Sequence, residues 1–423
     1  MAKFVVEGPV KLEGSLTIAG SKNAVLKQLA ACILATKPVE LHNVPAIRDV
    51  RVMIKILEAL GAEVEASGGT LQVNPANIKS AALPDELASQ LRASIVVLGP
   101  LLGRFGEAKI AHPGGDVIGR RRVDIHFRGF ESLGAEVTVT STHYEIKAKK
   151  LKGATIFLEE ASVTATENLM MAAVLAEGTT IIHNAASEPH TKDLAVMLNE
   201  LGARISGEGT NTVTIEGVKE LSGGTHTVRP DEIGAGTFLI AAGLTGGELE
   251  LQGIDPGNFG LILYKLSEAG IQFDVGEKSI RVTPPHNLLG TNVQSGLWPA
   301  FPSDLISPFT LLMTQAQGMS LIHDWMYEGR FFYTDKLVSM GANIILADPH
   351  RIIVQGPTPL YGKELATPDL RAGFTMLIAA MIAEGTTVID HAEIIDRGYE
   401  HVEDRLTSLG AKIQRLEEKD IPV

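Results

Sequence analysis

The sequence predicts a mixed α/β (α+β) protein of two domains, each holding three copies of one helix-and-strand unit whose helices are buried. Three observations carry this. The pattern apolar-Gly-small-polar-apolar recurs as LGAEV, LGAEV, LGARI, AGIQF, MGANI and LGAKI, with glycines at positions 61, 134, 202, 270, 341 and 410. Successive positions differ by 73, 68, 68, 71 and 69, a beat regular enough to mark an internal repeat. A second signature keeps the same beat, helix then turn then strand. It reads MAAVLAEGTTIIHNA, LIAAGLTGGELELQG, LLMTQAQGMSLIHDW and MLIAAMIAEGTTVIDHA, with weaker copies in LAACILATKPVELHN and VVLGPLLGRFGEAKIAH. The helices of this signature are apolar nearly all round, so they belong inside a domain rather than on its surface.

Taken in chain order, the strands FVVEG and GSLTIAG come first, before any copy of the unit, because the first buried helix opens only near Lys22 in AGSKNAVLKQL. They are therefore assigned to the later half. Each repeat then supplies a helical pattern such as VMIKILEAL, a glycine that reads as the helix C-cap, and an alternating, strand-like run. In HTVRPDE, Pro230 stands just before the fourth buried helix and marks the boundary. The expected domains are 22–229 and, discontinuously, 1–21 with 230–423.

A chain of 423 residues with 45% hydrophobic content buries a large core, and a formal charge of −13 argues against a general nucleic-acid binder. The lone cysteine, Cys32, lies in the apolar run LAACILA and reads as a buried thiol, which fits a reducing cytoplasm. The start MAKFVVEGPVKLEG lacks the apolar core of a secretion signal, and no segment approaches the roughly 20 apolar residues of a membrane span. The expectation is a cytoplasmic protein with no membrane partner.

Polar residues recur where the apolar helices begin. Fourteen residues before the turn glycines 106, 178, 318 and 385 stand Arg92, Thr164, Asp304 and Arg371; the first unit has Asn23 beside Lys22, and the fourth has Ile233. Unpaired N–H groups and a partial positive charge at helix N-termini suit phosphate or carboxylate. Asp304, Asp369 and Thr164 are equally readable as helix caps. Arg92 and Arg371 are not, since a cation in a helix's first turn needs an anion beside it. Arg397 in IIDRGYEHVEDRL and Arg330 in YEGRFF are open to two readings, a surface ion pair or a site. Gly20 and Ser21 allow a tight turn that leaves the Lys22 ammonium at a helix start.

Together GSKNAVL, LRASIVVLGPLLGRFG, PGGDVIGRR, TATENLMMAAVLAEGTTII, FPSD, EGRF, PDLRAG and IDRGYEHVEDRLTSLGA resemble, in order and over essentially the whole chain, the enolpyruvyl transferases, in the branch that acts on a nucleotide sugar. The resemblance implies an inside-out α/β barrel of six βαβαββ repeats, helices inside and sheets outside, with the active site in the cleft between two domains. It implies phosphoenolpyruvate and UDP-N-acetylglucosamine as substrates, no metal or organic cofactor, and a monomer or weak oligomer. By motif, Lys22, Arg121 and Arg397 hold the phosphoenolpyruvate anion with Arg92 and Arg371 nearby, Arg120 being interchangeable with Arg121 on spacing alone. Asn23 and Asp304 meet the sugar, and Asp304 is the candidate base. Asp369 stabilises a developing cation or carries protons. The run Arg121, Arg122, Val123, Asp124, Ile125 and the run Ser162, Val163, Thr164 bind uridine and diphosphate, while Met326 and Arg330 lie near the closing surface.

The family commonly has a cysteine where this chain has Asp116 in HPGGDVIGRRRVD, and aspartate occurs there in some members. The implied role is general acid on a closing loop. A carboxylate is a poorer nucleophile than a thiolate towards the epoxide fosfomycin, so insensitivity to it is expected. Read without the resemblance, Asp116 is a glycine-turn aspartate bonding its own backbone. PGGDVIGRRRVDIH and TATEN favour the nucleotide-sugar branch over the related transferase for shikimate 3-phosphate. The joint presence of Lys22, Asp304, Asp369 and Arg397 favours a working enzyme over a noncatalytic sensor.

Overall fold

The computed structural model describes residues 2–115, 118, 119 and 121–417. The chain divides into two compact units, one formed by Ala19–Gly115 and Arg121–Arg229, the other by the chain up to Ile18, residues 118 and 119, and the chain from Pro230 onward.

In the first unit three helices, Lys22–Ala31, Leu98–Phe105 and Val163–Ala173, pack together at the centre. In the second, Glu232–Thr245, Ile306–Thr314 and Leu370–Ile382 do the same. Their burial follows from composition: every residue from Leu370 to Met381 is buried, and every residue from Ile306 to Thr314. Hydroxyls inside them are absorbed locally, Thr310 Oγ1 on Ile306 O at 2.8 Å and Thr375 Oγ1 on Arg371 O at 3.0 Å, so the helices stay apolar outward.

Sheets form the outside, and one pattern serves nearly all of them: a parallel pair flanking the buried helix, then two antiparallel strands. Thr155–Phe157 runs parallel to Thr179–His183, which pairs antiparallel with Thr212–Glu216 and, through it, Arg204–Ser206. Gly224–Thr227 runs parallel to Val39–His42, followed by Thr70–Asn74 and Glu63–Ser67. The three-stranded sheet of Glu107–Ala111, His143–Lys147 and Glu136–Val139 keeps only the Ala82↔Lys109 bridge in the parallel position. In the second unit Gly14–Thr17 pairs parallel with Leu249–Gln252, and Val293–Gln294 with Gly318–His323. Its last sheet is completed by the start of the chain. Lys3–Gly8 lies antiparallel between Gly385–Asp390 and Lys412–Leu416.

A second, amphipathic helix in each repeat covers its sheet and ends on the recurring glycine. Glycines 61, 134, 202, 270, 341 and 410 all have φ between 91° and 120°, a region closed to side-chain-bearing residues, which is why the motif needs glycine there. Among the described residues no helix is long and apolar enough to cross a membrane.

Close helix contact sets one further glycine. A Cβ on Gly99 would come within 2.1 Å of the Asn168 carbonyl oxygen, and Gly99 N donates to Asn168 Oδ1 at 2.6 Å. Gly99→Ala is expected to destabilise the first unit by about 1–3 kcal/mol through overpacking, read as a lowered urea midpoint. Cys32 is fully buried, its Sγ donates to Gln28 O at 3.2 Å, and burial pushes the thiol up to about 12. The native protein should therefore resist iodoacetamide at neutral pH, and stoichiometric labelling before unfolding would contradict this burial.

Candidate functional site at the starts of the buried helices

In the first unit the Lys22–Ala31 helix is capped by Ser21, whose Oγ accepts from Ala24 N at 3.4 Å. The cap places Lys22 at the first helical position, where its ammonium meets Asp49 Oδ2 at 2.7 Å with both side chains nearly buried. Asn23 follows, and its carbonyl oxygen accepts from Lys27 Nζ at 2.7 Å. Lys27 also faces Glu167 Oε2 at 3.5 Å on the neighbouring helix, where burial raises the Glu167 carboxyl above its usual range. Ser162 caps Val163–Ala173 as Ser21 caps the first helix, accepting from Ala165 N at 3.4 Å. Val163 and Thr164 open that helix, and Thr164 Oγ1 lies 3.2 Å from His126 Nε2.

Arg92 opens a short 3₁₀ turn, Arg92–Val97, leading into the central helix Leu98–Phe105, and its Nη2 donates to Arg121 O at 3.3 Å. The backbone run at Arg121 is thus tied to a helix start. Arg122 points elsewhere: its guanidinium donates to Asp124 Oδ1 and Oδ2 at 3.1 and 2.6 Å and to Glu159 Oε2 at 2.9 Å, and Arg128 joins Glu159 on the same exposed face. This network neutralises the acidic character that Glu159 would otherwise present. Val123 precedes the helix Asp124–Ser132, in which Ile125 and His126 are buried.

In the second unit the arrangement turns on Asp304, in the 3₁₀ turn Ser303–Leu305. Its Oδ1 meets Arg330 Nη2 at 2.5 Å and its Oδ2 meets Arg371 Nε at 3.2 Å, with the carboxylate 34% exposed and both arginine side chains at 6% or less. Arg330 Nε donates to Ser303 O and Oγ at 3.2 and 3.1 Å. Burial opposes a charge on Arg330, but Asp304, Asp369 and Asp324 outweigh it and hold the guanidinium above its ordinary value. Burial likewise opposes Arg371, and Tyr399, Asp304 and Asp231 reverse it; the guanidinium lies 5.3 Å from the Tyr399 ring centroid. Met326 is set by Asp324, whose Oδ1 accepts from Met326 N and Tyr327 N at 3.0 and 3.2 Å. Arg397 is half-buried at the end of the 3₁₀ turn Ala392–Arg397.

The capping question divides three ways. Asp369 is a cap, accepting from Arg371 N and Ala372 N at 2.9 and 3.0 Å. Thr164 is not, because Ser162 fills that position, and Asp304 is not, because it lies inside the turn Ser303–Leu305 with its carboxylate on two arginines. The carboxylates that let Arg371 sit in a helix's first turn come from Asp304, on another repeat, and from Asp231, which caps the fourth helix through Ile233 N at 3.0 Å. Burial raises Asp231, with Glu232 adding and Arg371 opposing.

Asp116 and Arg120 lie outside the described residues. Their neighbours Ile118 and Gly119 belong to the second unit, where Ile118 O accepts from Gly329 N at 3.0 Å. Sequence reasoning missed Asp49, His126, Glu167, Asp231, Asp324 and Tyr399. Glu167 left a signal, a carboxylate in the first half of a helix that becomes apolar from Leu169 onward; the others needed the fold to bring them to the helix starts.

Residues 6–406 match the family model described as EPSP synthase (3-phosphoshikimate 1-carboxyvinyltransferase). A UDP-N-acetylglucosamine 1-carboxyvinyltransferase of Borrelia garinii is 45% identical over 424 residues, covering 98% of this chain and 99% of its own. One of Treponema denticola is 45% identical over 430 residues, covering 99% and 100%. Among solved structures, the enolpyruvyl transferase NikO from Streptomyces tendae superposes with a TM-score of 0.88 at 25% identity, covering 98% of both chains. EPSP synthase from Acinetobacter baumannii shares the fold alone, with a TM-score of 0.75 at 18% identity over 99% of this chain and 100% of that one.

The buried ring of His126 gives a pH signature. Burial first, and Arg92 second, push its pKa down to about 3, whereas in the unfolded chain the ring protonates near 6.5. Below about pH 6.5 the unfolded state therefore binds the extra proton. This contribution to stability is whole above that pH and is lost progressively as pH falls towards 3. Urea midpoints between pH 7.5 and 5 should show the loss, and His126→Gln should flatten the slope.

Proposed function

The chain belongs to the enolpyruvyl-transferring family whose model is described as EPSP synthase, and from that premise we propose that it transfers the enolpyruvyl group of phosphoenolpyruvate to the 3-hydroxyl of UDP-N-acetylglucosamine. Inorganic phosphate is released, and the reaction is the first committed step of peptidoglycan synthesis. Kinship over nearly the full length with transferases named for that nucleotide sugar supports this acceptor over shikimate 3-phosphate. The enzyme works in the cytoplasm as a monomer or weak oligomer, without a cofactor, and serves cell-wall growth, cell shape and division.

The chemistry is addition followed by elimination. An acid protonates C3 of the enolpyruvate, the sugar oxygen attacks the cationic C2 while a base takes the hydroxyl proton, and loss of phosphate and of a C3 proton restores the double bond. Asp304 is the base. The observation that carries this assignment is a partly open carboxylate whose two oxygens each rest on a buried guanidinium, Arg330 and Arg371. Those contacts fix its orientation, and the one-third exposure of the carboxylate gives an incoming hydroxyl a side from which to approach. Lys22, Arg121 and Arg397 bind the phosphate and carboxylate of phosphoenolpyruvate, and Arg92 and Arg371 add positive charge. Asn23 meets the sugar, and the Arg121–Ile125 and Ser162–Thr164 runs meet the nucleotide. Asp369 keeps its helix start in place while its charge favours the developing oxocarbenium centre. Asp116 is the acid, and having no thiolate there makes the enzyme insensitive to fosfomycin.

Phosphate release on mixing the protein with phosphoenolpyruvate and UDP-N-acetylglucosamine tests the reading, with shikimate 3-phosphate as the parallel acceptor. Release with the nucleotide sugar alone is expected; release only with shikimate 3-phosphate would move the chain to the sister reaction. Asp304→Asn should lower kcat by roughly 10²–10⁴-fold, the usual worth of general acid–base catalysis. Asp116→Asn should fall by a similar order, and time-dependent inactivation of the wild type by fosfomycin would refute the role given to its carboxylate.

A further inference from the structure

We propose that His126 is a positioning residue that commits the Thr164 hydroxyl to donating its hydrogen bond outward, to an acceptor oxygen of the nucleotide. This rests on the reading that Ser162–Thr164 meets the nucleotide sugar.

The inference begins at a backbone amide. Gly99 N–H can only donate, and Asn168 Oδ1 receives it at 2.6 Å, so the side-chain amide has one orientation. Asn168 Nδ2 then faces Ile95 O at 2.8 Å and His126 Nδ1 at 3.0 Å. An NH₂ group offers only protons, so His126 Nδ1 must be the acceptor and carries none. The single proton of a neutral imidazole is left on Nε2, which lies 3.2 Å from Thr164 Oγ1. Thr164 Oγ1 therefore accepts from the ring, and its own proton is released for another partner.

Nothing else in the first turn takes that proton. Thr166, two residues on, directs its hydroxyl to Ser162 O at 2.9 Å, and Glu160 O accepts from Ser162 N at 2.7 Å. Among the described residues Thr164 Oγ1 has only His126 as a hydrogen-bond partner. His126 is 1% exposed and Asn168 is fully buried, whereas Thr164 is half-open, so the outward end of this relay is the hydroxyl. A second ring proton would set an N–H against the Asn168 NH₂ beside the charge of Arg92, and burial keeps the ring neutral throughout the physiological range. The relay thus presents a donor at every working pH. It sits on the helix capped by Ser162, whose N-terminal dipole favours the same negatively polarised oxygen.

Calorimetric titration of the full-length protein with UDP-N-acetylglucosamine tests this. Thr164→Val should weaken binding about tenfold, the worth of a hydrogen bond to a charged or strongly polar acceptor, while Thr164→Ser stays near wild type. KM for the nucleotide sugar should rise with Thr164→Val while kcat and KM for phosphoenolpyruvate hold. His126→Gln should weaken binding in the wild-type background but add nothing once Thr164→Val is present. Independently of any variant's stability, nitrogen NMR of ¹⁵N-histidine-labelled wild type should show the His126 ring protonated at Nε2. A ring protonated at Nδ1, or tight binding by Thr164→Val in a protein whose wild type binds the nucleotide sugar, overturns the relay alone. Failure of the wild type to bind the nucleotide sugar overturns both the relay and the reading beneath it.

Discussion

Burying a helix on all sides leaves its backbone satisfied everywhere except at its two ends, and the organisation of this protein follows from that limit. From Leu370 to Met381 and from Ile306 to Thr314 every residue is buried, so charge has no place along the middle of these helices. It collects at their N-terminal turns, where four unpaired N–H groups already call for oxygen acceptors. Ser21, Ser162, Asp231 and Asp369 answer part of that call as caps in four of the six repeats. Charged side chains stand beside these caps, Lys22 after Ser21, Glu232 after Asp231 and Arg371 two residues after Asp369. Repetition has therefore produced six comparable polar points from one solution to a packing problem, and substitution has made them different: an ammonium at Lys22, a carboxylate at Glu232, guanidiniums at Arg92 and Arg371.

Such charges have to be balanced inside each unit, and the balance crosses between repeats. Arg371 draws on Asp304 and Lys27 on Glu167, each from another repeat, while Lys22 draws on Asp49 within its own. Removing one partner of such a pair leaves the other buried and uncompensated, which costs more than the pair itself contributes. Core and surface are thus coupled at one carboxylate: Asp304 holds two buried cations while a third of its own side chain stays exposed.

What could be read without coordinates divides along physical lines. The turn glycines were legible because the constraint is local: φ near 100° admits glycine and little else, so 61, 134, 202, 270, 341 and 410 announce helix ends wherever they fall. The buried helices were legible because burial on all faces needs apolar residues on all faces. Partners were not. Nothing in the spacing of 67 residues between Asp304 and Arg371 says that their side chains meet, and Asp304 and Thr164 had the residue types of caps without the geometry. His126 was invisible for the same reason, since its role comes from Asn168 and Gly99 on two other helices.

The place of Lys3–Gly8 has a consequence in time as well as in space. This strand hydrogen-bonds to Gly385–Asp390 and Lys412–Leu416, nearly the full chain away. During synthesis the unit ending at Arg229 has all its strands available once the ribosome has released little more than half of the chain, and domains commonly fold in that order. The first strand made has neither of its partners until the chain beyond residue 384 has emerged. Its apolar face, Phe4 and Val6, both fully buried in the finished fold, is the part of the nascent chain longest in need of shelter.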